Sequence, residues 1–256
     1  MILDRYPAPF WMLARIGASM VRGRRRSVGA DSAAILRLVH PPPRAIGTEH
    51  IPDEGPFVVV ANHYQRPGMW VGWGGMVVNA AVYRTRRAQG DIRWLMAAEL
   101  LDYRLGPLVV RWQWIARVLT RFASTYGFGV VSSREAGVVG GLSGLRVAAR
   151  ALAAGDPVGI LPEGTESDAL CEARPGVGAA LAWLTRDNIQ MVPAAITEPD
   201  GVLTVTFGEP FLLREAGLPE AGGDKASRDR ALREAVMAEI ARLLPAEMHG
   251  HYAGSV

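Results

Sequence analysis

Asn62-His63-Tyr64-Gln65-Arg66-Pro67-Gly68 and Pro162-Glu163-Gly164-Thr165-Glu166-Ser167 are two stretches of this chain whose residue types can do chemistry together. Imidazole is the one side chain in them whose ordinary pKa lies near neutrality, so His63 is suited to take a proton from an alcohol nucleophile. Each stretch follows a short apolar run that reads as a buried strand, Phe57-Val58-Val59-Val60-Ala61 before the first and Val158-Gly159-Ile160-Leu161 before the second. Loops at strand ends carry the reactive groups of α/β sheets, and two parallel strands would bring both loops to one edge.

Other chemistries lack their residues. Gly141-Leu142-Ser143-Gly144-Leu145 ends in leucine where a nucleophile elbow needs glycine. No P-loop surrounds Lys225, the only lysine, and there is no C-x-x-C or H-E-x-x-H metal pattern. The single cysteine, Cys171, rules out an intramolecular disulfide and favours a reducing compartment. It reads as an ordinary residue near a loop, and His40, His50, His249 and His251 as solvated side chains without a partner motif.

The elements that must position the two loops follow from the hydrophobic pattern. About 92 to 97, Gly129-Val130-Val131 and Met191 to Ile196 predict further buried strands, separated by helical stretches at 69–86, 107–124, 137–154 and 177–187. That alternation predicts an α/β fold with a mostly parallel central sheet flanked by helices. Leu203 to Phe207 alternates as an edge strand, and 226–244 closes the chain as a helix with Leu232, Val236, Ile240 and Leu243 on one stripe. Glu215 to Asp224 reads as a flexible loop. A chain of 256 residues with 49% hydrophobic content can bury one full core. We expect one α/β domain over 45–256 behind an N-terminal helical segment of 1–44, which Pro41-Pro42-Pro43 terminates.

Asn62-His63 resembles the opening of the NHxxxxD motif of the glycerolipid acyltransferase family, and Pro162-Glu163-Gly164-Thr165 resembles its PEGTRS motif. Gly47-Thr48-Glu49-His50-Ile51-Pro52, Arg134 after Gly129-Val130-Val131, Arg174-Pro175-Gly176-Val177-Gly178, Val192-Pro193-Ala194-Ala195-Ile196 and Gly208-Glu209-Pro210 are similar to other family segments, in order from about 45 to 212. The resemblance implies an O-acyltransferase whose general base, His63, deprotonates a lipid hydroxyl for attack on an acyl thioester, with no covalent acyl-enzyme. It implies acyl-CoA or acyl carrier protein as co-substrate, with no cofactor and no metal. Arg134 would hold an anionic group of the acceptor, since guanidinium stays charged and donates two parallel hydrogen bonds. Glu163, Gly164 and Thr165 would shape the acceptor pocket, and Asn62, Arg66, Glu166 and Ser167 complete the expected substrate contacts. The stripe Trp70, Trp73, Met76 and Val77 suits core packing, or an acyl-chain channel or membrane face.

Two departures stand out. Gly68 occupies the position of the motif aspartate, so a carboxylate of Glu163 or Glu166, or a backbone carbonyl, is expected to hold the His63 ring instead. Glu166 replaces the motif arginine, which disfavours a phosphate-bearing acceptor.

The net charge of +3 is concentrated near the start, in Arg22, Arg24, Arg25 and Arg26. If 8–26 is helical, Arg15, Ser19 and Arg22 share one face and Phe10, Leu13, Ile16, Gly17 and Met20 the other, an interfacial pattern. The apolar run is shorter than the roughly 20 residues of a membrane span, and its basic residues follow it, unlike a secretory signal. We expect peripheral attachment to an anionic membrane surface on the cytoplasmic side. Arginine so outweighs lysine that coding bias accounts for the excess, and no nucleic-acid partner is expected.

Overall fold

A computed structural model describes residues 6–7, 9–70, 72–88, 90–98, 103–105, 108–110, 112–132, 141–215 and 224–254. Arg134 and most of the expected flexible loop at 215–224 fall outside them. The elements in chain order are α1 (Phe10–Arg22), α2 (Val28–Leu36), β1 (Arg44–Ile46), β2 (Phe57–Ala61), α3 (Gly72–Thr85), β3 (Arg93–Ala98), β4 (Tyr103–Leu105), β5 (Leu108–Val110), α4 (Trp112–Tyr126), β6 (Gly129–Ser132), α5 (Gly141–Ala153), β7 (Val158–Ile160), α6 (Val177–Leu184), β8 (Gln190–Thr197), β9 (Thr204–Phe207) and α7 (Lys225–Ala241).

Among the described residues, seven strands form one sheet in the order β1-β9-β8-β2-β7-β3-β6, and β4 and β5 pair as a separate antiparallel hairpin. The five strands from β8 to β6 run parallel; β9 pairs antiparallel with β8, and β1 lies parallel to β9. This is the mostly parallel α/β architecture that the alternating pattern predicts. β2 explains the layering, because each successive residue of a strand faces the opposite side. Phe57, Val59 and Ala61 join the core under α3, whereas Val58 and Val60 join the core containing α5, α6 and α7. A strand covered on both faces has no polar positions, and all five residues are buried.

The structure corrects two expectations about the sheet. Leu203 to Phe207 is not the edge, because the three exposed residues of β1 pair outside β9 and cover it. β1 escapes notice because three residues directly after a proline run carry too little alternation to register. The stretch 107–124 is not one helix: β5 occupies 108–110 and α4 begins at Trp112. His50 and His249 also differ from solvated side chains, since each ring holds a backbone carbonyl, His50 Nδ1 that of Phe207 at 3.0 Å and His249 Nε2 that of Leu244 at 3.1 Å.

α1 ends at Gly23, whose left-handed backbone (φ 62°) lets Gly23 N–H reach Met20 O and Arg24 N–H reach Ser19 O. The chain then turns into α2, capped by Ser27 Oγ accepting from Ala30 N–H. Met12 is the one buried residue of α1, while Phe10 (83% exposed), Leu13 and Val21 (77%) face outward as a stripe. Arg26 turns inward and pairs with Asp31, which also accepts from Tyr126 Oη–H at 2.8 Å. Only Arg22, Arg24 and Arg25 of the basic cluster are exposed. No helix among the described residues is long and apolar enough to cross a membrane.

Candidate active site

β8, β2 and β7 are neighbours, and their carboxyl ends bring three loops together. The loop after β2 carries His63, the loop after β7 carries Glu163, and the turn after β8 carries Glu198. Two backbone hydrogen bonds fasten the first two loops: Ser167 N–H donates to His63 O at 3.1 Å, and Gln65 N–H donates to Ser167 O at 2.9 Å. In effect the β2–β7 pairing resumes beyond both strands, with Tyr64 opposite Ser167. The expected meeting of these loops at one sheet edge is therefore what the fold produces.

Glu163 is buried, 2% exposed, and its carboxylate spans the two loops. Oε1 accepts from the backbone N–H of His63 and Oε2 from that of Cys171, both at 2.6 Å. Burial pushes its pKa above the ordinary carboxylate value, and the two N–H donors oppose that shift. Glu163 thus holds the main chain of His63, where a carboxylate against the ring was one of the expected stand-ins. His63 is half-buried, with Nδ1 turned inside the protein. Gly68 lies in a left-handed turn (φ 84°), five residues on, next to exposed Pro67.

The remaining motif residues divide between bracing and exposure. Asn62 is 4% exposed, donating to Ile196 O at 3.0 Å and accepting from Ile196 N–H at 2.7 Å, which ties the end of β2 to β8. Replacing Asn62 with alanine should cost about 2 kcal/mol in urea unfolding, because the Ile196 amide is left in a dry site and an under-satisfied carbonyl costs less than an N–H. An unchanged unfolding midpoint would show that the clamp is dispensable. Arg66 is paired with Glu198 through both Nε and Nη2, and Tyr6 Oη–H donates to the same carboxylate at 2.6 Å. The Glu198 hydrogen bond raises the pKa of Arg66, so its guanidinium stays charged. Gly164 (φ 58°) leaves room for Arg174: a Cβ there would come within 2.6 Å of Arg174 Nε. Thr165 and Glu166 are exposed at the rim, and Ser167 is half-buried.

Three residues escape the sequence reading. Arg174 donates to Gly164 O at 2.9 Å and Thr165 Oγ1 at 3.0 Å, so a guanidinium serves this loop although Glu166 is acidic. Glu198 sits after an apolar strand with nothing local to mark its arginine partner, 132 residues away. Tyr64 is buried beside His63, and burial raises its phenol pKa, leaving a proton donor. Its position directly after the histidine was the available signal. Trp73 and Val77 of the aromatic stripe are core, whereas Trp70 is 64% exposed.

No protein-family model matches the chain, and no curated protein does. Among solved structures the chain is similar to the 1-acyl-sn-glycerophosphate (LPA) acyltransferase PlsC from Thermotoga maritima. The two share 18% identity over 84% of this chain and 76% of that one, with a TM-score of 0.41. At that score the likeness bears on neither the residues of the site nor their chemistry.

Proposed function

We propose that this protein is an O-acyltransferase that moves a fatty-acyl group from acyl-CoA or acyl carrier protein to a lipid hydroxyl at a membrane surface. The observation that carries the reading is the fastening of the His63 loop to the Glu163 loop, which unites the two segments resembling acyltransferase motifs. His63 takes the acceptor's hydroxyl proton as the oxygen attacks the thioester carbonyl carbon. The carbon–sulfur bond then breaks and the thiolate leaves, regaining a proton from the imidazolium. The carboxylate of Glu163 positions the histidine through its main chain, and Arg134 takes the anionic end of the acceptor. The exposed apolar stripe of α1, flanked by Arg15, Arg22, Arg24 and Arg25, supports attachment to an anionic bilayer from its cytoplasmic side. The test is incubation of purified protein with labelled acyl-CoA and a panel of lyso-lipids, alcohols and glycolipids. Acyl transfer exceeding thioester hydrolysis is expected, and lipid binding without turnover would place the protein among accessory lipid binders, a reading that Gly68 in place of the acid favours.

A phosphate-bearing acceptor is the poorer substrate in this scheme, because Glu166 puts negative charge at the rim of the site. Glu166→Arg should raise turnover of lysophosphatidate relative to a neutral acceptor by a factor of about 3 to 10, the value of one partly screened charge contact. A wild type that already prefers lysophosphatidate, with a poorer variant, would overturn this role for Glu166.

A further inference from the structure

At the opposite edge of the sheet from His63, the amino ends of β3, β6 and β7 meet α4, α5 and the α1–α2 turn around an open cleft. Arg25, Arg26, Arg93 and Arg150 line it, against two aspartates, Asp91 and Asp156. Four of these six arginines and aspartates are committed. Arg26 pairs with Asp31, Asp91 accepts from Ser27 Oγ–H and Gly29 N–H, and Arg93 donates to Asp156 and, through Nη1, to Tyr126 O at 2.8 Å. Arg25 and Arg150 have neither an ion-pair nor a hydrogen-bond partner among the described residues.

Gly127 is where the cations converge. Its backbone is left-handed (φ 73°), and a Cβ there would meet Arg25 Nη1 at 2.5 Å and Arg93 Nη1 at 3.2 Å. Two guanidinium groups therefore flank one point, Arg93 fixed by Asp156 and Tyr126, Arg25 unneutralised. Like charges held this close repel, and an oxyanion between them converts repulsion into two charge-assisted contacts. A second cleft, sharing Ser124 with the first, runs from there along Met20, Val21 and Arg121 to the exposed apolar stripe of α1.

We propose that this cleft binds the phosphate of an anionic phospholipid, with Arg25, Arg93 and Arg150 around the headgroup and the acyl chains lying toward Met20 and Val21. The site uses no residue assigned to acyl transfer, and stands whether or not the protein is an acyltransferase. Met20 and Val21, in the cleft that continues from the phosphate pocket to the apolar stripe of α1, are what select a lipid over a free phosphate compound.

The test is titration calorimetry with monomeric dihexanoyl phosphatidylglycerol, for which a delocalised surface potential offers no saturable site. Wild type should bind one lipid per chain. The double substitution Arg25→Gln/Arg150→Gln should weaken it at least about tenfold, whereas Arg22→Gln/Arg24→Gln, which removes equal charge outside the cleft, should change it less than about twofold. Thermal denaturation of both variants checks that they fold. Val21→Asp should weaken the lipid and spare inorganic phosphate. Absence of saturable binding, or equal losses in the two double variants, would overturn the site. Inorganic phosphate or CoA binding as tightly as the lipid would overturn the lipid as its occupant.

Discussion

His63→Ala should lower kcat for acyl transfer by about 10² to 10⁴-fold, the range a positioned general base contributes. The fold should survive, because the fastening of this loop belongs to the main chain: His63 N–H donates to Glu163, and His63 O accepts from Ser167. Alanine keeps both bonds. Circular dichroism and a urea midpoint near wild type, beside lost transfer, are the expected pair of results. Gly68→Asp restores the acid of the motif, and aspartate is among the residues that best tolerate the left-handed backbone found there (φ 84°). Its strain should cost about 1 kcal/mol, with transfer preserved or raised. An alanine variant as active as wild type would remove His63 from the chemistry and leave lipid binding as the function.

Glu163→Ala should be the most destabilising substitution at the site, by about 3–5 kcal/mol. It orphans two N–H groups in a dry setting, at about 1–3 kcal/mol each, and leaves a void between two loops. Transfer should fall as well, since the main chain of His63 loses its anchor. Glu163→Gln separates charge from shape. One amide oxygen can still accept, but the amide nitrogen would face the other backbone donor, so the loss is intermediate. The pH dependence has a definite sign. A carboxyl whose folded pKa is raised contributes most below its unfolded pKa and loses that contribution as pH rises through the folded value. The advantage of wild type over Glu163→Gln in urea should therefore shrink between acidic and neutral pH. An advantage that grows over the same interval would mean that the two N–H bonds outweigh burial.

β2, β7 and β8 were legible in the sequence because each is a short apolar run between turn residues, and legible strands carried the loops with them. His63 and Glu163 could be named, since their meeting requires only that two such strands be parallel neighbours. What Glu163 does there was hidden. A carboxylate accepting from two main-chain amides leaves no side-chain partner in the sequence, so the ring of His63 looked like its natural target. Arg66 was misleading for a related reason: an arginine in a site loop suggests an anionic substrate until Glu198, 132 residues on, is seen to hold it. The inward turn of Arg26 was equally invisible, since Asp31 is only five residues away yet belongs to the next helix.

The neighbours of β2 set when this protein can acquire a site. β2 ends at residue 61, but its two flanking strands begin at residues 158 and 190, and Asn62 finds its partner 134 residues downstream. Contacts of such sequence separation require closure of long loops before they return any stabilisation, and they slow folding. A growing chain that has emerged only as far as β6 leaves both edges of β2 without a neighbour and its Val58 and Val60 face without α5, α6 and α7. The interval in which β7 and β8 are still being made is then the one most exposed to aggregation, and a chain truncated before Gln190 should carry His63 but no assembled site.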